Sequence, residues 1–251
     1  MSVFDLTGKT AIVIGGNGVL GSAIATGLVS HGAQVAIAGR DVEKAEKVVS
    51  GLAEGSSRAF QVDVLSRSTI AEMADKVIEW AGTIDILVNC AGVNSKTPFF
   101  EVSDEEWDRV FSVNVKSIFM ASQIVGQHML NSGGGSIINI SSVSSGPPLS
   151  GVFAYSASKA ALNNVTQYLA RELAPTVRVN AIIPGFFPAE QNRKILTQER
   201  VDNIIRHTPM KRLGDARELQ GTAIWLASDT ASSFVTGALI PVDGGFTAMT
   251  I

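Results

Sequence analysis

Short runs of β-branched residues alternate with segments of helical length along the whole chain of 251 residues. The first run, Ala11-Ile12-Val13-Ile14, is apolar at every position, so both faces of this strand must be covered by other parts of the protein. Strands of that kind belong to parallel sheets with helices on both sides. The alternation therefore predicts an α/β fold, in which a single domain is built on a doubly wound parallel sheet.

The predicted elements have definite limits. Seven strands are predicted at 9–15, 34–38, 57–61, 84–89, 136–141, 178–183 and 239–242. The helices include 18–30, about 104–130, and 153–174, the last of which stops at Pro175. No linker divides the chain, which predicts one domain over 1–251. The least regular stretch starts at Pro184, and we expect a substrate lid at about 184–210, with an ordinary surface connection as the alternative.

Charge and cysteine content exclude several classes of function. The net charge is −3 and the pI is about 5.6, so we expect no nucleic-acid partner and no membrane partner. Cys90 is the single cysteine, which excludes an internal disulfide and fits a reducing compartment. The first ten residues lack a signal-peptide pattern, and no apolar run reaches the ~20 residues of a membrane span. We expect a cytoplasmic protein with a small-molecule substrate, and the spacing of its histidines predicts no metal site.

A glycine-rich turn joins the first predicted strand to the first predicted helix. The segment Gly16-Asn17-Gly18-Val19-Leu20-Gly21 fits the pattern G-x-G-x-x-G, and Gly15 precedes it. Glycines at this place let the backbone approach a pyrophosphate at the helix N-terminus. The turn predicts a dinucleotide site formed by Gly15, Asn17, Gly18, Leu20 and Gly21.

The end of the second strand indicates which dinucleotide binds. An acidic residue that would bind the ribose of NAD is expected here, but the chain has Gly39 followed by Arg40. A guanidinium suits a 2′-phosphate, so NADP(H) is favoured and NAD(H) is the alternative. Stacking of Arg40 on the adenine of either cofactor is the competing interpretation. Asp41 is expected to cap the following helix.

A phenol and an ammonium lie four residues apart at Tyr155 and Lys159. On a helix both side chains occupy one face, and a nearby cation is expected to lower the pKa of the phenol. Ser142, at the end of a predicted strand, offers a second hydrogen-bond donor. This set fits a carbonyl group that gains or loses a hydride, whereas the pair alone also fits an ordinary surface helix.

Together these residues make the chain resemble the short-chain dehydrogenase/reductase family, whose members have a Rossmann fold, along essentially its full length. The resemblance rests on the glycine turn at 15–21, Asp63, Asn89-Cys90-Ala91-Gly92, Asn114, Ser141-Ser142, Tyr155 with Lys159, Val179-Asn180, Pro184-Gly185 and Val242-Asp243-Gly244-Gly245. Three positions depart from the family pattern, namely Ile14 and Val19 in the turn and Ala189 in the lid. Each puts part of the cofactor binding in doubt.

The resemblance implies a role for each matching residue. Tyr155 is the catalytic acid or base, and Lys159 lowers its pKa and binds the nicotinamide ribose. Ser142 orients the substrate oxygen, and Asn114 holds a water that relays protons to Lys159. The implied cofactor-binding residues also include Asp63 and Val64 at the adenine, Asn89, Ala91 and Gly92 at the adenine ribose, and Pro184 and Gly185 at the start of the lid.

The lid is similar to that of sugar-acid oxidoreductases of the gluconate 5-dehydrogenase and mannonate/fructuronate oxidoreductase type. Arg193 could pair with a substrate carboxylate, and Gln191 and Asn192 could bind hydroxyls, although these residues could equally form a solvated helix start. Ser144 is a weaker candidate for the substrate pocket and could equally satisfy the backbone of its own loop. The resemblance implies an NAD(P)-dependent oxidoreductase acting on a ketone or secondary alcohol of a sugar acid. The alternatives are a 3-oxoacyl-carrier-protein reductase, a general carbonyl reductase, or a non-catalytic NADP sensor. The resemblance also implies a homotetramer or homodimer, with the apolar tail 246–251 in an interface.

Overall fold

The computed structural model describes residues 2–188 and 197–248, and these form one parallel seven-stranded sheet. The strands are β1 Thr10–Ile14, β2 Gln34–Gly39, β3 Ser57–Gln61, β4 Ile86–Asn89, β5 Gly135–Ile140, β6 Val177–Pro184 and β7 Leu239–Val242. Their order across the sheet is β3-β2-β1-β4-β5-β6-β7, and every pairing is parallel. The predicted sheet is confirmed in strand number, direction and position.

Helices lie on both faces of the sheet. They are α1 Val19–Ser30, α2 Val42–Val49, α3 Arg67–Ala81, α4 Asp104–Phe111, α5 Ser117–Asn131, α6 Phe153–Glu172, α7 Gln198–His207, α8 Gln220–Ala227 and the single turn α9 Asp229–Ser232. Within the described part of the chain, none of these helices is both long and apolar enough to cross a membrane.

Alternate residues of β1 enter two separate cores. Ile12 and Ile14 pack among residues of α3, α5 and α6, whereas Ala11 and Val13 pack among residues of α1 and α8. All four side chains are buried. A strand between two helical layers has no solvent-facing side, which explains why this run is apolar throughout. Ile14, which departs from the family pattern, is therefore a core residue.

The strand order reverses between β1 and β4. The chain leaves β1 towards β2 and β3, and returns to pair β4 on the other side of β1. The loops that follow β1 and β4 therefore diverge to opposite faces and leave a crevice at the carboxyl ends of the strands. This topology places the glycine turn beside the segment that begins with Cys90.

The helix predicted over 104–130 is interrupted. A π-helical turn, Ser112–Lys116, separates α4 from α5. The Ser117 hydroxyl donates to the Val113 carbonyl at 2.6 Å, which satisfies an acceptor displaced from the regular ladder. The apolar periodicity continues through this turn, so it could not reveal the extra residue.

Candidate active site

A cleft of about 580 Å³ opens at the carboxyl ends of the strands. It runs from the turn after β1, past the loop after β4, to the end of β5 and the first turns of α6. Most of the predicted cofactor and catalytic residues lie along it. The lining predicted residues are Gly15, Asn17, Gly18, Leu20, Gly21, Arg40, Asp63, Val64, Ala91, Gly92, Ser142, Tyr155, Lys159, Pro184 and Gly185.

The glycine turn forms one end of the cleft. Gly15 has a φ of 83°, and a Cβ there would lie 2.6 Å from the backbone nitrogen of Ala91, so only glycine fits. The N-cap of α1 is Gly18, which has no capping side chain. The amides of Val19 and Leu20 therefore begin the helix without a side-chain acceptor, beside the cleft. These features fit a bound pyrophosphate.

The departure at Val19 does not strain the turn. Val19 is absent from the described non-glycine residues with positive φ, and it is the first residue of α1. Its side chain is partly exposed at the edge of the cleft. The valine is therefore compatible with a regular helix start.

The end of β2 carries two cations rather than one. Arg40 lines the cleft, as predicted for a 2′-phosphate site, and so does Lys44 in the first turn of α2. The Asp41 carboxylate accepts from the Lys44 backbone amide at 3.0 Å, which confirms the predicted cap. Lys44 was missed because its position in a capped first turn has an ordinary structural explanation. Its spacing of four residues from Arg40 was the available signal.

Asn89 lies beneath the cleft and does not line it. Its side chain is 2% exposed and donates to the side-chain Oδ1 of Asn139 at 2.9 Å and to the Ser122 hydroxyl at 3.4 Å. The side chain of Asn89 is therefore held inside the protein, and the predicted cofactor role of this residue stays a prediction. The amide instead joins β4 to β5 and α5, while Ala91 and Gly92 provide the wall of the cleft.

Tyr155 and Lys159 lie on one wall of the cleft, on adjacent turns of α6. The Lys159 Nζ is 5.8 Å from the centre of the Tyr155 ring and donates to the Ile140 carbonyl at 2.8 Å. Only 4% of the lysine is exposed. The end of β5 therefore fixes the ammonium beside the phenol.

The direction of the Tyr155 pKa differs from the sequence-based expectation. Burial raises the pKa of Tyr155, while a hydrogen bond with Ser142 acts in the lowering direction. Burial also lowers the pKa of Lys159 from 10.5 to about 8. The pKa of the phenol is raised overall because its loss of water outweighs the contributions that favour the phenolate, and the nearby Nζ is itself bonded to a carbonyl. The phenol therefore retains its proton at neutral pH.

Ser142 and Ser144 have different roles. The Ser142 Oγ accepts from the Ser144 amide at 3.3 Å and from the Ser144 hydroxyl at 3.1 Å. Ser144 is buried and lies outside the lining of the cleft. Its two hydrogen bonds orient the hydroxyl of Ser142, and the predicted substrate contact at Ser144 stays a prediction. With its acceptor positions used, that hydroxyl can donate into the cleft.

Asn114 is buried below Gly92. Its Oδ1 accepts from the Val93 amide at 2.8 Å, and its Nδ2 donates to the Val93 carbonyl at 2.9 Å and the Ser158 hydroxyl at 3.0 Å. A Cβ at position 92 would lie 3.3 Å from Oδ1 and 3.7 Å from the Lys159 Nζ. The side-chain amide thus ties the loop after β4 to α6, in the neighbourhood of Lys159.

A second cavity of about 680 Å³, the outer cavity, is lined by parts of the same loops as the cleft. Three loops contribute residues to both spaces. The loop after β4 contributes Asn94 to the cleft and Lys96 to the outer cavity, and the loop after β6 contributes Gly185 and Phe186 respectively. The segment after Ser142 supplies Pro147, Leu149 and Ser150. The outer cavity therefore lies near the catalytic end of the cleft.

Helix α7 closes the outer cavity with polar side chains. Arg200, Asn203 and His207 recur at helical spacing on this side, and the Arg200 Nη2 donates to the Ser150 carbonyl at 3.0 Å. Sequence reasoning missed Arg200 because only the fold brings α7 to the loop after β5. Four positions singled out in the sequence lie outside the described residues. They are the substrate candidates Gln191, Asn192 and Arg193, and Ala189, which differs from the family pattern.

Phe246 belongs to the boundary of the outer cavity. Its ring packs on Phe186 and His207 of the same chain, at centroid distances of 5.0 and 4.6 Å. Phe246 therefore packs on its own chain, and the predicted place of the tail in a subunit interface stays a prediction. Residues 249–251 lie outside the described residues.

Comparison with known proteins extends over almost the entire chain. A family model described as enoyl-(acyl carrier protein) reductase matches residues 17–247. An uncharacterized oxidoreductase UxuB of Bacillus subtilis (strain 168) is 41% identical, covering 97% of this chain and 96% of its own. Gluconate 5-dehydrogenase of Gluconobacter oxydans (strain 621H) is 36% identical, covering 98% and 97%. A solved gluconate 5-dehydrogenase from Burkholderia cenocepacia J2315, in complex with NADP and tartrate, has a TM-score of 0.92 at 33% identity and covers 98% of each chain.

Proposed function

The chain belongs to the short-chain dehydrogenase/reductase family and is an oxidoreductase acting on alcohol groups, and from this premise we propose that it moves a hydride between NADP and a sugar acid. The observation that carries the proposal is the convergence of Ser142, Tyr155 and Lys159 on one cleft, at the opposite end from the glycine turn. The relatives named gluconate 5-dehydrogenase support the substrate class.

Three side chains, those of Tyr155, Ser142 and Lys159, take part in the transfer of one proton. The nicotinamide supplies or accepts the hydride when it is bound. In reduction, Tyr155 donates its proton to the substrate oxygen, since burial keeps the phenol protonated. The Ser142 hydroxyl donates a hydrogen bond to the same oxygen. The Lys159 ammonium, present below a pH of about 8, stabilises the phenolate that remains.

We propose that the cofactor is NADP(H) rather than NAD(H). The support is the pair of cations, Arg40 and Lys44, at the end of β2, where Gly39 replaces an acidic residue. The solved relative in complex with NADP agrees with this choice. Lys44 lies 4.0 Å from the Asp41 carboxylate, so Arg40 is expected to contribute more of the affinity.

We expect Arg40→Ala to raise the KM for NADPH about tenfold or more and to change the KM for NADH much less. A charge-assisted hydrogen bond of about 1.5–3 kcal/mol is lost only with the phosphorylated cofactor. Initial rates with each cofactor measure the difference. Arg58→Ala, which removes an exposed arginine on the edge strand β3, serves as the control. Equal losses with both cofactors would show that Arg40 does not bind the phosphate.

The outer cavity supports a substrate that has both a carboxylate and hydroxyls. Lys96 and Arg200 provide positive charge, and Ser150, Asn203 and Thr197 provide hydrogen-bonding groups. The substrate oxygen would then lie at Tyr155 in the cleft, and the carboxylate would lie in the neighbouring outer cavity. Glu199 is the acidic residue among the described lining residues of this cavity.

We expect Arg200→Ala to raise the KM for a carboxylated sugar about tenfold, because one charge-assisted contact is lost. The KM for an uncharged polyol should stay within about twofold. Arg206→Ala, on the same helix but outside the cavity lining, is the matched control. A parallel change with both substrates would remove the carboxylate role and would indicate a general effect on the position of α7.

One substrate screen tests the proposed function. Purified protein is assayed at ~340 nm, the band of the reduced nicotinamide, with NADPH or NADP and a panel of keto sugar acids, uncharged polyols and 3-oxoacyl thioesters. We expect turnover of sugar acids to exceed that of the matched polyols. Turnover confined to thioesters would replace the proposal with a carrier-protein reductase, and cofactor binding without any turnover would indicate a sensor.

We also propose a cytoplasmic homotetramer, with a homodimer as the alternative. The single cysteine supports a reducing compartment. The exposed rings of Phe99, Phe100 and Phe153 support association, since Phe99 contacts each of the other two rings at a centroid distance of 5.1 Å and Phe100 is 97% exposed. Light scattering of the purified protein measures the subunit number.

A further inference from the structure

One amide side chain joins the catalytic helix to the loop that carries Ser142. Asn163 lies on α6, one turn beyond Lys159 and two turns beyond Tyr155, so it projects from the same side of the helix. Its Oδ1 accepts from the Ser141 hydroxyl at 2.6 Å, and its Nδ2 donates to the Ser145 hydroxyl at 2.8 Å. Asn163 therefore contacts the loop on both sides of Ser142.

These bonds close into a ring that includes the backbone of Ser142. The Ser145 hydroxyl, which accepts from Asn163, donates to the Ser142 carbonyl at 2.6 Å, and the Ser145 amide donates to the same carbonyl at 2.9 Å. The other side of the ring runs from Ser141 through the peptide bond to Ser142. The path back to α6 is therefore continuous, and its side-chain bonds are part-buried.

The ring needs a side chain with one donor and one acceptor on the same planar group. The Ser141 hydroxyl donates to Asn163, whereas the Ser145 hydroxyl has already given its proton to a carbonyl and must accept. A primary amide meets both requirements, but a carboxylate lacks the donor and an aliphatic group lacks both. The choice of asparagine at this position thus follows from the two serines.

We propose that Asn163 is a positioning residue that holds the Ser142 hydroxyl in register with Tyr155 and thereby acts on turnover through Ser142. Asn163 does not line the cleft, so it has no direct contact with substrate or cofactor. The inference rests on the proposed function, because it needs Ser142 to bind the reacting oxygen. Displacement of a catalytic group by ~1 Å can cost about 10²-fold in rate, so a single lost tether has a measurable effect.

The test uses a nearly isosteric substitution. We expect Asn163→Leu to lower kcat by about 10- to 100-fold, with the KM for NADPH within about twofold of normal, because the glycine turn and the end of β2 are unaffected. Asn164→Ala is the matched control, since Asn164 is the adjacent, exposed residue of the same helix. Normal kcat in Asn163→Leu would overturn the proposal.

A double-mutant cycle separates positioning from general stability. If Asn163 acts through Ser142, the variant Ser142→Ala with Asn163→Leu should be no slower than Ser142→Ala alone. Losses that multiply would instead show a structural role and overturn the proposal. If Ser142→Ala itself turns over normally, the proposed function fails before the positioning role is reached.

A second variant keeps the test available if Asn163→Leu does not fold. Ser145→Ala removes the opposite member of the ring from a loop rather than from α6. We expect it to lower kcat about fivefold or more while leaving NADPH affinity unchanged, since the same tether is cut. Normal kcat in Ser145→Ala would overturn the proposal as well.

Discussion

Tyr155→Phe is expected to lower kcat for ketone reduction by at least about 10²-fold, because it deletes only the proton that the mechanism transfers. The ring of Tyr155 stays in place, and the Lys159 ammonium keeps its bond to the Ile140 carbonyl. NADPH binding, followed by fluorescence titration, should therefore change by less than about threefold. Loss of turnover with retained binding is the result that identifies the phenol as the proton donor.

The chain contains its own control for this substitution. Its other tyrosine, Tyr168, lies on the same helix and is 62% exposed. Tyr168→Phe should leave both kcat and binding near normal. If Tyr155→Phe proves as active as Tyr168→Phe, the phenol does not carry the proton, and the assignment of acid and base must be abandoned.

Lys159→Met is expected to increase the free energy of unfolding near neutral pH by about 2 kcal/mol while it abolishes turnover. Burial lowers the pKa of Lys159 from 10.5 to about 8, which corresponds to a cost of about 3 kcal/mol for keeping the buried ammonium charged. Methionine fills similar space without charge. Removing the lysine also leaves the Ile140 carbonyl without this partner, which costs about 1 kcal/mol.

The pH dependence gives the sign of this effect. Below pH 8 both the folded and the unfolded forms carry the proton, so the whole cost is present in the wild-type protein. Between pH 8 and 10.5 the unfolded chain binds more protons, and the stability of the wild type rises with pH. The difference in the free energy of unfolding between Lys159→Met and the wild type should therefore decrease as the pH approaches 10.5.

Urea unfolding at pH 7 and near pH 10 measures this advantage. Lys76→Met, an exposed lysine on α3, is the control and should change stability by less than about 0.5 kcal/mol at both pH values. If Lys159→Met is less stable than the wild type at pH 7, the buried ammonium does not lower the free energy of unfolding, and this prediction is wrong. A destabilising group is expected where a residue is placed for chemistry rather than for folding.

The features that could be predicted from the sequence are those encoded by neighbouring residues. Strand β1 could be predicted from its consecutive apolar positions. The glycine turn could be predicted from its place between a predicted strand and a predicted helix. Tyr155 and Lys159 share a face because a spacing of four is nearly one helical turn. Each of these signals needs fewer than a dozen residues.

Other parts of the site depend on groups that are distant in the chain. Asn89 was expected at the cofactor, but its side chain forms a hydrogen bond with the side chain of Asn139, which lies 50 residues away in the chain. This bond holds the Asn89 amide inside the protein. The direction of the Tyr155 pKa depends on burial by several elements, which no local pattern reports. The π-helical turn at Ser112–Lys116 is hidden by an apolar periodicity that runs on either side of it.

The sequence by itself determined the layered α/β fold, the dinucleotide turn and the pairing of phenol with ammonium, because short-range periodicity and spacing set which side chains share a face. Only the tertiary structure decided that Asn163 forms hydrogen bonds with the loop that carries Ser142, that Lys44 lines the cleft beside Arg40, and that Arg200 lines the outer cavity. Those contacts arise where separate elements meet, and their energy depends on burial and hydrogen-bond geometry that exist only once the sheet and its helices are packed.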